Sequence, residues 1–176
     1  SHLLTEIFLP SICRQATHLI AVSQSTATDL RTEFQIDSRK INVTYEGADI
    51  RFFQTESLTT SDWSKKIPHP YLLTFATGDN REVPEQVVSA FGKCNSQIPH
   101  YFVIAGNCSE SQKSTLVETA IKVDCLDKLY FTGYVPNDDL PVLYRNADIY
   151  IEMSCYEGFG LQVCEAMAAG TAVIAS

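Results

Sequence analysis

Past residue 70 the chain repeats one pattern: a short continuous apolar run, a turn signal, then a segment with apolar residues at helical spacing. The runs are Tyr71-Leu72-Leu73-Thr74-Phe75-Ala76, Tyr101-Phe102-Val103-Ile104-Ala105, Leu129-Tyr130-Phe131-Thr132, Ile149-Tyr150-Ile151 and Ala172-Val173-Ile174-Ala175. A strand wetted on one face alternates apolar and polar residues. These runs are apolar at consecutive positions, so both faces must be covered, as in a parallel sheet. Between them the spacing predicts helices over 83–96, 110–124, 138–146 and 159–169. Val87, Val88, Phe91 and Ile98 mark one helical face, and Leu116, Ala120 and Val123 another. Alternating strands and helices predict an α/β fold with a doubly wound parallel sheet and right-handed crossovers. Ligands of such sheets sit beyond the carboxyl ends of the strands. The loops starting near Thr77, Gly106, Gly133, Ser154 and Ser176 are therefore where chemistry is expected.

The first 60 residues are patterned differently. Leu19-Ile20-Ala21-Val22-Ser23 reads as a strand, Ser25 to Phe34 as a helix capped by Ser23 or Ser25, and Ile41 to Tyr45 as a second strand. Residues 54–68 are polar, with clustered Thr, Ser and Lys around Trp63, and read as a linker or surface loop. The chain starts at Ser1 and stops at Ser176 directly after a strand-like run, which reads as an excised fragment.

Composition narrows the function classes. The 176 residues suffice for one domain, or one domain and part of another. Thirteen Lys and Arg against 21 Asp and Glu leave a net charge of -8. With no basic run, nonspecific binding to nucleic acid or anionic lipid is disfavoured. An anionic ligand then needs local devices such as a helix N-terminus or a placed Arg. Cysteines at 13, 94, 108, 125, 155 and 164 fit neither zinc-finger nor thioredoxin spacing and read as reduced, mostly buried thiols. No apolar stretch approaches the ~20 residues that span a bilayer. The expected compartment is the cytoplasm.

Residues 154–170 concentrate the candidate chemistry. They read as a strand end, a glycine-containing loop and a helix closed near Gly170. From Gly160 to Ala169 only Gln162 and Glu165 are polar, so the helix is expected to be buried nearly all round. A carboxylate in such a helix must meet a partner, either a protein donor or the hydroxyls of a bound molecule. Glu157 stands eight residues earlier, at the mouth of the loop. Gly158 and Gly160 permit close backbone approach, and a helix N-terminus offers free N–H groups to an anion. The arrangement suits central phosphates flanked by hydroxyl-bearing rings, as in a nucleotide sugar. The bland alternative is a glycine turn and a buried helix whose Glu pairs with a backbone donor.

The span Glu157-Gly-Phe-Gly-Leu-Gln-Val-Cys-Glu165 resembles the Glu-x7-Glu signature of the group 1 (family 4) retaining glycosyltransferases. Phe131 to Asp148, Ala166 to Ser176, Ile20 to Leu30 and Tyr45 to Asp49 are similar to the family's neighbouring segments. The resemblance implies the two-domain GT-B fold. It assigns 1–60 to the end of the N-terminal domain and the interdomain segment. It assigns 61–176 to a Rossmann-like nucleotide-sugar-binding domain, truncated at its C-terminus. By the same resemblance Glu157 stabilises charge as the glycosidic bond breaks, and Glu165 accepts hydrogen bonds from the ribose. Backbone N–H groups of Gly158, Phe159, Gly160 and Leu161 approach the sugar or diphosphate. Gly106 lies near the nucleotide, and the loop at Val135 lines the base pocket, mostly through main-chain groups.

The implied reaction transfers a sugar from a nucleoside diphosphate sugar with retention of configuration and no metal; no Asp-x-Asp occurs. The implied acceptor is a glycan, a lipid-linked glycan or a small molecule. Peripheral membrane contact is expected of the N-terminal domain outside this chain, and the fragment alone is expected to be inactive. One departure bears on charge. Where the family carries an Arg and a Lys for the diphosphate, this loop reads Thr77-Gly-Asp-Asn-Arg-Glu-Val-Pro84, leaving Arg81 as the cation and Glu82 in the place of the Lys. That motivates an alternative, a degenerate transferase-like domain serving as a binding or assembly module. Epimerases and glycogen-synthase-like enzymes share the architecture, but Gly158-Phe159-Gly160 and Tyr45 to Asp49 fit the simpler family pattern better.

Overall fold

The computed structural model describes residues 2–54, 63–78 and 82–176. The residues form two compact units: Ser1–Gly47 together with Glu157–Gly160, and Ala48–Tyr156 together with Leu161–Ser176.

In the first unit, helix α1 (His2–Gln15) precedes strand β1 (Leu19–Ala21), helix α2 (Gln24–Thr32) and strand β2 (Ile41–Val43), and the two strands pair in parallel. No element is predicted over 2–15 from the sequence; the helix forms there with Pro10 inside it. Lys40 closes the C-terminal end of α1, its ammonium donating to the carbonyls of Arg14 at 3.0 Å and Ala16 at 3.1 Å. Ser23 caps α2. It sits in extended conformation (φ -153°, ψ 167°), and its Oγ accepts from the Thr26 amide at 3.0 Å. Ser23→Ala is expected to cost about 1 kcal/mol, read as a lowered urea midpoint at unchanged slope.

The second unit carries a five-stranded parallel sheet in the order β5-β4-β3-β6-β7. Its strands are β3 (Tyr71–Phe75), β4 (Tyr101–Ala105), β5 (Leu129–Gly133), β6 (Ile149–Glu152) and β7 (Ala172–Ala175). The short helix α3 (Trp63–Lys66) precedes the sheet; 55–62, the rest of the expected linker, lies outside the described residues. Between the strands lie α4 (Pro84–Cys94), α5 (Glu110–Lys122), α6 (Leu140–Arg145) and α7 (Leu161–Ala168). All four lie within the predicted spans, with Ile98 falling in the loop after α4.

The consecutive apolar positions are explained by two cores, one on each face. Leu72, Phe102 and Ile104 pack with Val87, Val88 and Phe91 of α4 and Leu116 and Ala120 of α5. Tyr71, Leu73, Val103 and Ala105 pack with Leu143 and Tyr144 of α6 and Ala166 of α7. Successive residues of one strand thus enter opposite cores. The order reverses between β3 and β6, which puts the topological switch of this doubly wound sheet at the carboxyl ends of those two strands. Among the described residues, no helix is long and apolar enough to cross a membrane.

Candidate functional site

The loops at the carboxyl ends of the strands are laced by hydrogen bonds, some within a loop and some between loops. After β3, the Glu82 carboxylate receives both polar groups of Thr77: the amide N–H at 2.7 Å on one oxygen and the hydroxyl at 2.7 Å on the other. The Val83 amide donates to the Met153 carbonyl at 3.2 Å, and Glu82 bridges Ser154, so this loop is tied to the end of β6. The Glu82 carboxylate is thus turned back onto the end of its own loop. It fills the place at the end of β3 where an anion would find an N–H and a hydroxyl. Arg81, the cation expected beside it, lies outside the described residues.

After β4, Gly106 has φ +109°, and a Cβ there would lie 2.7 Å from the Ala76 carbonyl oxygen. Glycine is required at this position by close approach of the backbone just after β3. Its N–H is donated to the Gly133 carbonyl at 3.0 Å. After β5, Tyr134 is exposed, whereas the Val135 side chain is buried in the core with Tyr71 and Leu143. Only main-chain groups of Val135 are then left for a ligand. The ends of β6 and β7 are joined through Ser176, whose Oγ accepts from the Ser154 amide and donates to the Ser154 carbonyl.

Helix α7 is less buried than its composition predicts. Ala166 is buried, with Ala169 just past the helix end, and Val163 and Ala168 are packed against the same core, but Leu161 and Met167 are 41% and 64% exposed. The helix covers only one face of the sheet, so its outer side meets solvent although it is apolar.

Glu165 is half-buried, and its Oε2 accepts from the Tyr144 hydroxyl at 3.1 Å. Burial pushes this carboxyl above the usual glutamate value, while the Tyr144 hydrogen bond and the charge of Arg51 pull it back. Arg51 is itself held by Asp49 at 3.2 Å and Asp138 at 2.8 Å. The partner that a carboxylate in this helix requires is thus supplied in part by the protein. A carboxylate has about four lone-pair sites, so one phenol leaves it able to accept from further hydroxyls.

Beside it, the Tyr150 hydroxyl donates to the Glu152 carboxylate and lies 3.2 Å from Gln162 Oε1. Burial raises the Tyr150 phenol far above its ordinary value and keeps it a donor. Tyr144, Tyr150 and Glu152 carry no marker of this role in the sequence, where they read as strand and helix core.

The remaining candidates belong to the first unit. The Gly158 carbonyl accepts from Thr26 Oγ1 at 3.3 Å, and the Phe159 ring lies 6.3 Å from that of Tyr45. Gly160 has φ +82°, a left-handed conformation that favours glycine immediately before α7. Glu157 is exposed. Among the described residues, no group of three or more His, Cys, Asp or Glu could hold a metal ion. All six cysteines are free; Cys13 and Cys125 are buried, and Cys155 is exposed.

The profile of the family described as glycosyl transferases group 1 matches residues 60–176. The chain belongs to this family. It is 30% identical over 173 residues to the uncharacterized glycosyltransferase MJ1607 of Methanocaldococcus jannaschii, covering 92% of the chain and 43% of that protein. It is 26% identical over 181 residues to D-inositol 3-phosphate glycosyltransferase of Salinispora arenicola, covering 94% of the chain and 40% of that protein. The chain thus spans less than half the length of these curated relatives. Among solved structures it superposes on Anabaena Alr3699/HepE in complex with UDP and glucose with a TM-score of 0.80 at 19% identity, over 99% of the chain and 48% of that protein. The likeness shows the fold: the group 1 glycosyltransferase chain has the Rossmann-like architecture of GT-B enzymes.

Proposed function

We propose that this chain is the donor-binding portion of a retaining glycosyltransferase. It takes a nucleoside diphosphate sugar, and the whole protein passes the sugar to an acceptor with its anomeric configuration kept and without a divalent metal. The observation that carries this reading is Glu165: a half-buried carboxylate on the helix that follows β6, with one protein donor among the described residues and capacity for more. In this reading its free lone pairs receive the ribose hydroxyls. Glu157 stabilises charge as the glycosidic bond breaks, and the amides of Gly158 to Leu161 meet the sugar or diphosphate. Main-chain groups near Gly106 and Val135 border the base, and Arg81 faces the diphosphate. The acceptor is a glycan, a lipid-linked glycan or a small molecule, and the compartment is the cytoplasm.

The test is a thermal-shift panel of UDP, GDP and ADP with their glucose forms. A ligand that binds only the folded chain stabilises it by about 2.7 kcal/mol at 100 times its Kd, so one nucleotide series is expected to raise Tm by several degrees. Absence of a shift with every member, matched by no heat of binding in calorimetry, counts against the proposal. Glu82, with its carboxylate on Thr77, favours a second reading, a binding or assembly module without turnover. Release of nucleoside diphosphate from a nucleotide sugar by the whole protein excludes that reading.

A further inference from the structure

We infer that Tyr144 is a positioning residue: its buried hydroxyl fixes the Glu165 carboxylate in the orientation that receives the ribose. The inference rests on the donor-binding reading above and adds to it the group that aims the carboxylate.

The geometry is built to hold this phenol still. Tyr144 is fully buried on α6, with ring centroids of Phe75 at 5.6 Å, Phe52 at 5.8 Å and Tyr150 at 5.3 Å. These three neighbouring rings leave it no alternative rotamer without opening the core. Its backbone is also tied, because Thr171 Oγ1, in the turn between α7 and β7, donates to the Tyr144 carbonyl at 2.6 Å. The next residue, Arg145, fastens the same end of α6 to three carbonyls: Ala169 at 3.3 Å, Gln54 at 2.6 Å and Phe52 at 2.9 Å. Helix α6, the segment carrying Asp49 and Arg51, and the end of α7 are thereby locked into one frame. The only proton on the phenol goes to Glu165 Oε2 at 3.1 Å.

A free glutamate side chain has three rotatable bonds and loses affinity for a ligand by having to order them. Here one oxygen is already anchored, so the other faces the ligand before it arrives. Besides Tyr144, the charged groups acting on Glu165 are Arg51 and Asp49. Both act through charge alone, whereas the Tyr144 hydroxyl is, among the described residues, the side-chain donor to the carboxylate. Its orientation then falls to the phenol.

The experiment measures binding of UDP, GDP and ADP, each beside its 2′,3′-dideoxy counterpart, by calorimetry on the wild-type chain, Tyr144→Phe and Glu165→Asp. The wild type is expected to bind one diphosphate about tenfold or more tighter than its dideoxy form. Tyr144→Phe, which removes one oxygen atom, is expected to bind that diphosphate about five- to twentyfold more weakly while binding the dideoxy form unchanged. A merely structural tyrosine would weaken both equally, and that outcome overturns the inference. So does a wild-type preference for the ribose that survives Tyr144→Phe; in that case the donor-binding reading stands. If no nucleotide binds the wild type, both fall together. Should Tyr144→Phe fail to fold, Glu165→Asp decides the matter. It keeps the charge but withdraws it by one methylene from the phenol, and retention of full ribose discrimination overturns the inference.

Discussion

Replacing Glu165 by glutamine is expected to raise the Tm of the chain at pH 7 and, at the same pH, to weaken binding of its nucleotide by roughly 1–3 kcal/mol, about five- to 150-fold. The two effects have one cause. Burial raises the Glu165 carboxyl above the ordinary glutamate range, against the smaller opposing influences of Tyr144 and Arg51. A carboxyl whose folded value exceeds its unfolded value stabilises the fold through its protonated form. That contribution is complete below the ordinary value near 4.3 and is lost as pH rises through the folded value. At pH 7 the ionised side chain therefore costs stability, and glutamine removes the cost while still accepting from the Tyr144 hydroxyl. The gain in Tm should shrink as the pH falls toward about 4, where the wild-type carboxyl carries its own proton. A glutamate kept for structural reasons predicts the opposite, a loss of Tm at neutral pH with nucleotide affinity unchanged. Melting curves from pH 4 to 8 on both proteins, with binding measured at pH 7, separate the two cases.

The fold was legible because its signal is local and redundant. Each strand of the sheet is a run of consecutive apolar residues, and Tyr71 and Leu72 enter different cores. No one-sided strand would carry that pattern. Helix α1 was not legible, since Pro10 removes an amide from the middle of a segment with weak periodicity. The shortfall in burial of α7 has a different origin. Periodicity reports which residues are apolar, not whether a second layer covers them, and Leu161 and Met167 have none here.

At the site, the two glutamates and the glycines could be picked out by type and spacing. Their partners could not. Tyr144 lies 21 residues from Glu165, and Arg145 reaches carbonyls more than 90 residues back. Contacts of this kind depend on which loop ends the sheet order makes adjacent, and no local pattern encodes them.

Glu82→Gln is expected to tighten nucleoside diphosphate binding about tenfold, and Glu82→Lys to tighten it further, with a steeper dependence on salt. Two unit charges 4 Å apart interact by about 4 kcal/mol at an effective dielectric of 20, and the partial exposure of this loop and added salt reduce that figure. A gain near 1.4 kcal/mol, or tenfold, is what remains for removal of one like charge. The Thr77 bonds do not neutralise the carboxylate. They fix it in place, so under the donor-binding reading an arriving diphosphate meets both a stationary negative charge and an amide already spoken for. Glutamine keeps an acceptor for the Thr77 amide, and an unchanged Tm would show that the loop retains its form. Binding titrations at 50 and 300 mM salt distinguish the outcomes. If Glu82→Gln leaves affinity unaltered while the fold is intact, the phosphates lie away from the end of β3 and Glu82 serves only to pin its loop to β6. If affinity drops, the shape that Glu82 imposes on Thr77 is itself part of the binding surface, and the carboxylate is a structural support for the site.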